Sequence, residues 1–162
     1  MSNPVRPIPE GYHAITPAIT CKNAAKAIDF YKSVLGASEM NRMAGPGGMV
    51  THAELRIGDS VIFVSDEFPG MAVAPSGSGP ASSYLFLYTD NVDKVFNRAV
   101  SAGCHVDMPL DNMFWGDRYG KVTDPFGHHW GLAQHVEDVA PEEMKRRSAE
   151  WFAKMAKAAG QG

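Results

Sequence analysis

Apolar residues along this chain fall into two rhythms, a strand-like alternation and a helical three-and-four spacing, and the order of the rhythms repeats. Residues 12–20, Tyr-His-Ala-Ile-Thr-Pro-Ala-Ile-Thr, are rich in strand formers, with Pro17 confining them to an edge or an irregularity. Asn23 then suits a helix N-cap. Ala24, Ala27, Ile28, Tyr31, Val34 and Leu35 share one stripe, which Gly36 brings to a stop. Strands are predicted at about 37–44, 50–57 and 60–65, with turns at Gly45-Pro-Gly-Gly48 and Gly58-Asp59.

A Pro-, Gly- and Ser-rich stretch at 68–82 follows, read as a flexible connection or a loop over a site, and then the order returns. Ser83 to Thr89 is a strand, and Asp90 or Asn91 caps a helix. Val92, Val95, Phe96, Ala99 and Ala102 form its stripe, ended by Gly103. Strands follow near 104–108, 117–123 and 128–134. The last two are joined by Asp124-Pro-Phe-Gly127, where Pro125 presets φ and Gly127 takes the positive φ that closes the turn. A duplicated β-α-β-β-β module is the simplest account, and the fold class is α+β. From Pro141 a separate helix carries Met144, Trp151, Phe152 and Met155 on one stripe, expected to pack on its own domain or on a partner subunit. The chain thus divides into a lead-in (1–11), a first module (12–67), a linker (68–82), a second module (83–136) and a helical tail (137–162).

Composition narrows the partners. A net charge of −3 with no long Lys/Arg stripe leaves no surface for nucleic acid. No apolar run approaches a bilayer span, and the N-terminal residues have no apolar signal core, so no membrane partner is expected and the cytoplasm is the expected location. Two cysteines, Cys21 and Cys104, give neither a metal spacing nor a disulfide framework and read as inert free thiols. Gly45-Pro-Gly-Gly48 lacks the Lys and Ser/Thr of a phosphate loop, and no Gly-x-Ser-x-Gly elbow occurs in a strand-turn-helix context.

Three phrases carry a family resemblance: Ala27-Ile-Asp-Phe-Tyr-Lys-Ser-Val-Leu-Gly36, His52-Ala-Glu-Leu-Arg-Ile-Gly58, and Trp115-Gly-Asp-Arg-Tyr-Gly through Trp130. With the duplicated module and the Asp124-Pro-Phe-Gly127 turn, the chain resembles the vicinal oxygen chelate superfamily, in wording most like its PhnB-like branch. That group includes glyoxalase I, bleomycin-resistance proteins, fosfomycin-resistance enzymes and extradiol dioxygenases. The resemblance implies mixed sheets that curl around a pocket, often completed by a second subunit. In metal-dependent members it also implies a divalent ion held by His, Glu or Gln on the first and last strands. Matched by helix and turn landmarks, the four ligand positions here are Thr16, Glu54, Tyr84 and Gly131. Of these only Glu54 is a competent donor, and an ion needs three or four. By that count the usual site is absent and no cofactor is expected.

A displaced divalent metal site is the alternative. His52 and Glu54 are two apart on a strand and share a face, as His129 would with Gly131, so His52, Glu54 and His129 are the candidate ligands. The adjacent pair His128-His129 alternates faces, with at least one expected to be exposed, and His105 and His135 have no partner visible in the sequence. The candidate ligand-binding residues are His52, Glu54, Tyr84, Phe86, Trp115, Arg118 and His129. Asp117 and Arg118 point opposite ways or form a local ion pair, and Trp115 has the alternative of a dimer interface.

Three functions remain open. The first is a small-organic-ligand-binding protein with an aromatic-lined trough and no metal. The second is a metal-dependent lyase, isomerase or transferase acting on vicinal oxygens. The third is metal-free acid–base chemistry by Glu54 with His52. A homodimer is expected, and whether there is turnover stays undecided.

Overall fold

A computed structural model of the chain describes residues 5–77 and 79–160. The first four residues of the lead-in, Ser78 of the linker and the last two residues of the tail lie outside the described residues. The fold is α+β: two tandem βαβββ modules, each with a four-stranded mixed sheet, and a C-terminal helix. Two compact units divide the chain, one of residues up to Pro80 with the turn Pro125–His128, the other Ala81–Asp124 with His129 onward.

In the first unit, β1 (Ala18–Cys21), β2 (Ser38–Ala44), β3 (Val50–Ile57) and β4 (Ser60–Asp66) lie in the order β1-β4-β3-β2. β1 runs parallel to β4, and the other pairs are antiparallel. The strand expected from residue 12 begins only at Ala18, because Pro17 has no N–H to enter the ladder; its carbonyl accepts from Phe63 N instead. Helix α1 (Ala24–Leu35) starts where the Asn23 side chain accepts from Lys26 N and stops at Gly36 in the left-handed region (φ 71°). Its buried Ala27, Ile28, Tyr31 and Val34 share the core with Ala53, Leu55, Ile57 and Val64. Asp66 accepts from Ala24 N at 2.7 Å and Val50 N at 2.7 Å, tying the helix start to the sheet. Within this unit Phe126 meets Phe30 and Tyr31 edge-on, and Gly127 has φ 89° with Pro75 where a Cβ would stand.

The second unit repeats the plan. β5 (Leu85–Tyr88), β6 (His105–Asn112), β7 (Asp117–Thr123) and β8 (His129–His135) lie in the order β5-β8-β7-β6, with β5 and β8 parallel. Helix α2 (Val92–Ser101) is capped by Asn91, which accepts from Lys94 N, and buries Val92, Val95, Phe96 and Ala99. Gly120 has no room for a side chain on the helix side: a Cβ there would stand 2.7 Å from the Phe96 ring. β6 outruns the expected 104–108 because its register slips twice against β7, which lets the edge strand continue past Pro109. Helix α3 (Pro141–Ala159) has no buried residue; Trp151 lies against Phe114, and Arg147 forms a bidentate pair with Glu137.

Candidate functional site

Strand alternation sets what each sheet presents on the face away from its helix. On β3, Ala53, Leu55 and Ile57 turn into the core, so His52, Glu54 and Arg56 turn outward. Glu54 stands opposite Phe63 of β4 and Asn41 of β2. Its Oε1 lies 3.1 Å from His52 Nε2, and its Oε2 accepts from the Tyr12 hydroxyl. The Phe63 ring packs edge-on against His52, centroids 4.8 Å apart. Hydrogen bonds from Tyr12, and secondarily from His52, hold the Glu54 carboxyl below its ordinary pKa, and the same bond raises the Tyr12 phenol. An ionised Glu54 can only accept, so the His52 proton belongs on Nε2. The result is a half-covered carboxylate with an ordered imidazole beside it.

The second unit presents a different surface. Asp117, Tyr119, Lys121 and Thr123 alternate along β7, opposite His135, Ala133, Gly131 and His129 of β8. On β5, Phe86 stands opposite Gly131 and Tyr88 opposite Ala133. Phe86 stacks on Tyr119 with centroids 5.3 Å apart and planes within 9°, and lies 4.9 Å from the Tyr88 ring. A Cβ on Gly131 would meet the rings of Tyr119, Phe86 and Tyr84 at 3.0, 3.1 and 3.1 Å, so the three converge where that side chain is missing. Lys121 Nζ sits 4.2 Å from the Tyr84 ring centroid. Desolvation, then its hydrogen bond with Tyr84, raises the Tyr119 phenol.

At one end of this face Asp117 is 3% exposed, a burial that would be costly without donors. It has three: Tyr88 Oη, Trp115 Nε1 and His135 Nδ1, each at 2.9 Å. The other ring nitrogen of His135 meets Asp138 at 2.9 Å; Asp138 and then Asp117 raise the imidazole pKa. Asp117 therefore fixes two of the aromatic side chains that line the face.

Tyr84, Phe86, Trp115 and His129 fall in the second unit, His52 and Glu54 in the first. His129 Nδ1 lies 3.0 Å from Thr123 Oγ1 and 3.5 Å from Asp107. Arg118 points to the helix side, where it grips Asp93 of α2 at 2.8 and 2.7 Å; it forms no pair with Asp117. His105 and His135 both have carboxylate partners, Asp107 for the former. His128 and His129 are both half-buried, correcting the expectation of an exposed one; His128 meets the Thr20 carbonyl at 2.9 Å. Cys104 is buried and its thiol is pushed up to about 12 by desolvation, then by Asp124 and Asp107, which makes it a poor nucleophile. Sequence reasoning missed Tyr12, Lys121 and the Asp117–His135 pair. Only the last two had a signal, the period-two pattern of β7 read against β8.

Comparison with known proteins gives the family and the fold. Residues 13–132 match the model of the Glyoxalase/Bleomycin resistance protein/Dioxygenase superfamily, and the chain belongs to that family. Uncharacterized protein Rv0887c of Mycobacterium tuberculosis is 40% identical over 136 residues, covering 82% of this chain and 80% of its own. The solved structure of the PhnB protein of Bacillus cereus shares the fold at 18% identity and a TM-score of 0.60, over 75% of this chain and 99% of that one. FosX of Listeria monocytogenes, solved with Mn(II) and sulfate, shares it at 14% identity and a TM-score of 0.58, over 81% of this chain and 95% of that one. Among the described residues of this chain, no helix is long and apolar enough to cross a membrane, and no group of three or more His, Cys, Asp or Glu is positioned to hold a metal ion.

Proposed function

We propose that this chain binds a small, flat organic ligand on the aromatic face of its second module, without a metal at the positions its family uses. The observation that carries the reading is the convergence of Tyr84, Phe86 and Tyr119 over Gly131. Tyr84, Phe86 and Tyr88 remain 47%, 42% and 59% exposed, a contiguous aromatic surface of the kind that marks a binding site. The donor set supports the metal-free part. Where the family resemblance calls for a carboxylate, Gly131 has no side chain and rings stand where one would go. Tyr84 offers a phenol whose ring already faces an ammonium, and Glu54 is taken by Tyr12 and His52. No step through a metal is derived from such a set.

The test is a titration of 2-naphthamide into EDTA-treated and untreated protein, followed by tryptophan fluorescence, with Phe86→Leu alongside. Equal binding with and without EDTA, weakened at least fivefold by Phe86→Leu, is the expected result. Binding that disappears with EDTA would return the reading to a metal-dependent lyase, isomerase or transferase.

A second reading is favoured by the Tyr12–Glu54–His52 cluster: Glu54 as a metal-free general base, with His52 beside it. Turnover of any substrate that survives EDTA and is lost in Glu54→Gln would support it. We further infer a cytoplasmic homodimer, from two buried cysteines that are not joined in a disulfide and from Phe152 and Met155 left exposed on α3. A monomer mass by light scattering would overturn the dimer.

A further inference from the structure

We propose that the ligand of the aromatic face is a planar aromatic acid, its ring received by Phe86 and Tyr84 and its anionic group by Lys121 Nζ. This rests on the aromatic-face reading above and adds the chemical class.

The two modules can be aligned by one hydrogen bond each. In the first, the leading amide of α1, Ala24 N, donates to Asp66 of β4; in the second, the leading amide of α2, Val92 N, donates to Gln134 of β8. Counting back three residues from these acceptors equates Phe63 with Gly131. Their cross-strand neighbours follow: Glu54 with Lys121, and Ala18 with Phe86. At corresponding points the first sheet therefore presents a carboxylate and the second an ammonium.

Their surroundings differ as much as their charge. Glu54 has hydrogen bonds from Tyr12 and His52. Among the described residues Lys121 has no carboxylate within ion-pair distance, and its contact is the π-face of Tyr84. The other charges on this face are already engaged. Asp117 is buried under its three donors, His135 lies between Asp117 and Asp138, and His129 is beside Asp107 and Thr123. A ring face is a weak partner for a strongly hydrated ammonium with three donors, whereas an anionic oxygen forms a charge-assisted hydrogen bond with it. A cationic ligand on these rings would meet the Lys121 charge, and a neutral one would leave that charge unanswered. A single ammonium suits a single anionic group, and aromatic rings close by suit an aryl body.

Three probes sharing one ring system test this with the full chain: 2-naphthoate, 2-naphthamide and 2-naphthyl-trimethylammonium, titrated by tryptophan fluorescence at two salt concentrations. Naphthoate is expected to bind at least tenfold more tightly than the amide and to weaken as salt rises. Lys121→Met, which keeps the apolar stem, should abolish the preference, so that naphthoate and the amide bind this variant equally; Lys121→Arg should retain most of the preference. Equal binding of acid and amide, or preference for the ammonium probe, overturns the acid class while the aromatic face stands. Failure of all three probes to bind overturns the aromatic face and the acid class together.

Discussion

The first and second modules share strand order, helix caps and the anchoring of each helix's leading amide by the last strand. Asn23 and Asn91 each accept from the amide three residues on, and Asp66 and Gln134 occupy matching posts beneath α1 and α2. What the sheets show on the opposite face has diverged. The first presents a hydrogen-bonded Tyr12–Glu54–His52 cluster beside one ring, Phe63; the second presents Tyr84, Phe86, Tyr88 and Tyr119 around a glycine, with a lysine where the first has Glu54. Positions facing the helix are constrained by close packing, where one methylene is felt. Exposed positions facing away are freer to differ, and it is on the face of the second module that we propose a ligand binds.

The strongest way to break the comparison is to remove the group that holds the second face in shape. Asp117→Ala leaves Tyr88 and Trp115 without their shared acceptor and opens a buried polar gap. Loss of hydrogen bonds to a buried carboxylate is expected to cost about 3 kcal/mol or more, read as a lower denaturation midpoint. Next in size is Gly131→Ala. Its Cβ would press on three rings at 3.0–3.1 Å, so they must part, with an expected loss of about 1–3 kcal/mol in stability. Naphthoate affinity should fall at least tenfold. A Gly131→Ala protein that keeps both stability and affinity would mean that the rings do not form the binding surface.

Much of this architecture was legible in the sequence, and the reasons differ by element. Asn23, Gly36 and Asn91 mark helix ends by local chemistry, so both helices could be bounded from their own residues. Alternation put Tyr84 and Phe86 on one face of the second module and His52 with Glu54 on one face of the first. Local reading failed where a partner lies far along the chain. Tyr12 meets Glu54 across 42 residues, from a stretch that reads as the start of the first strand although β1 begins only at Ala18. Arg118 reads as a ligand group until register and sheet side are known, and then it belongs to Asp93. His135 was an isolated histidine near a strand end until antiparallel pairing set it opposite Asp117.

The smallest expected effect lies in the first module and concerns charge rather than fold. Tyr12→Phe removes the hydrogen bond that contributes most to holding the Glu54 carboxyl below its ordinary value, while His52 stays in place. The Glu54 titration, followed by carboxyl-detected NMR, should therefore move up toward the ordinary carboxylate range near 4.5. The sign for stability follows by linkage. Because the folded-state pKa is depressed, the contribution of Glu54 is full above its unfolded value and is lost as pH falls through the folded one. Tyr12→Phe should flatten that acid-side loss and leave the neutral-pH response of the second module, set by His135 with Asp138 and Asp117, unchanged. If the variant instead alters the titration of His135, the two faces are coupled, and the comparison between independent modules must give way to one between halves of a single electrostatic unit.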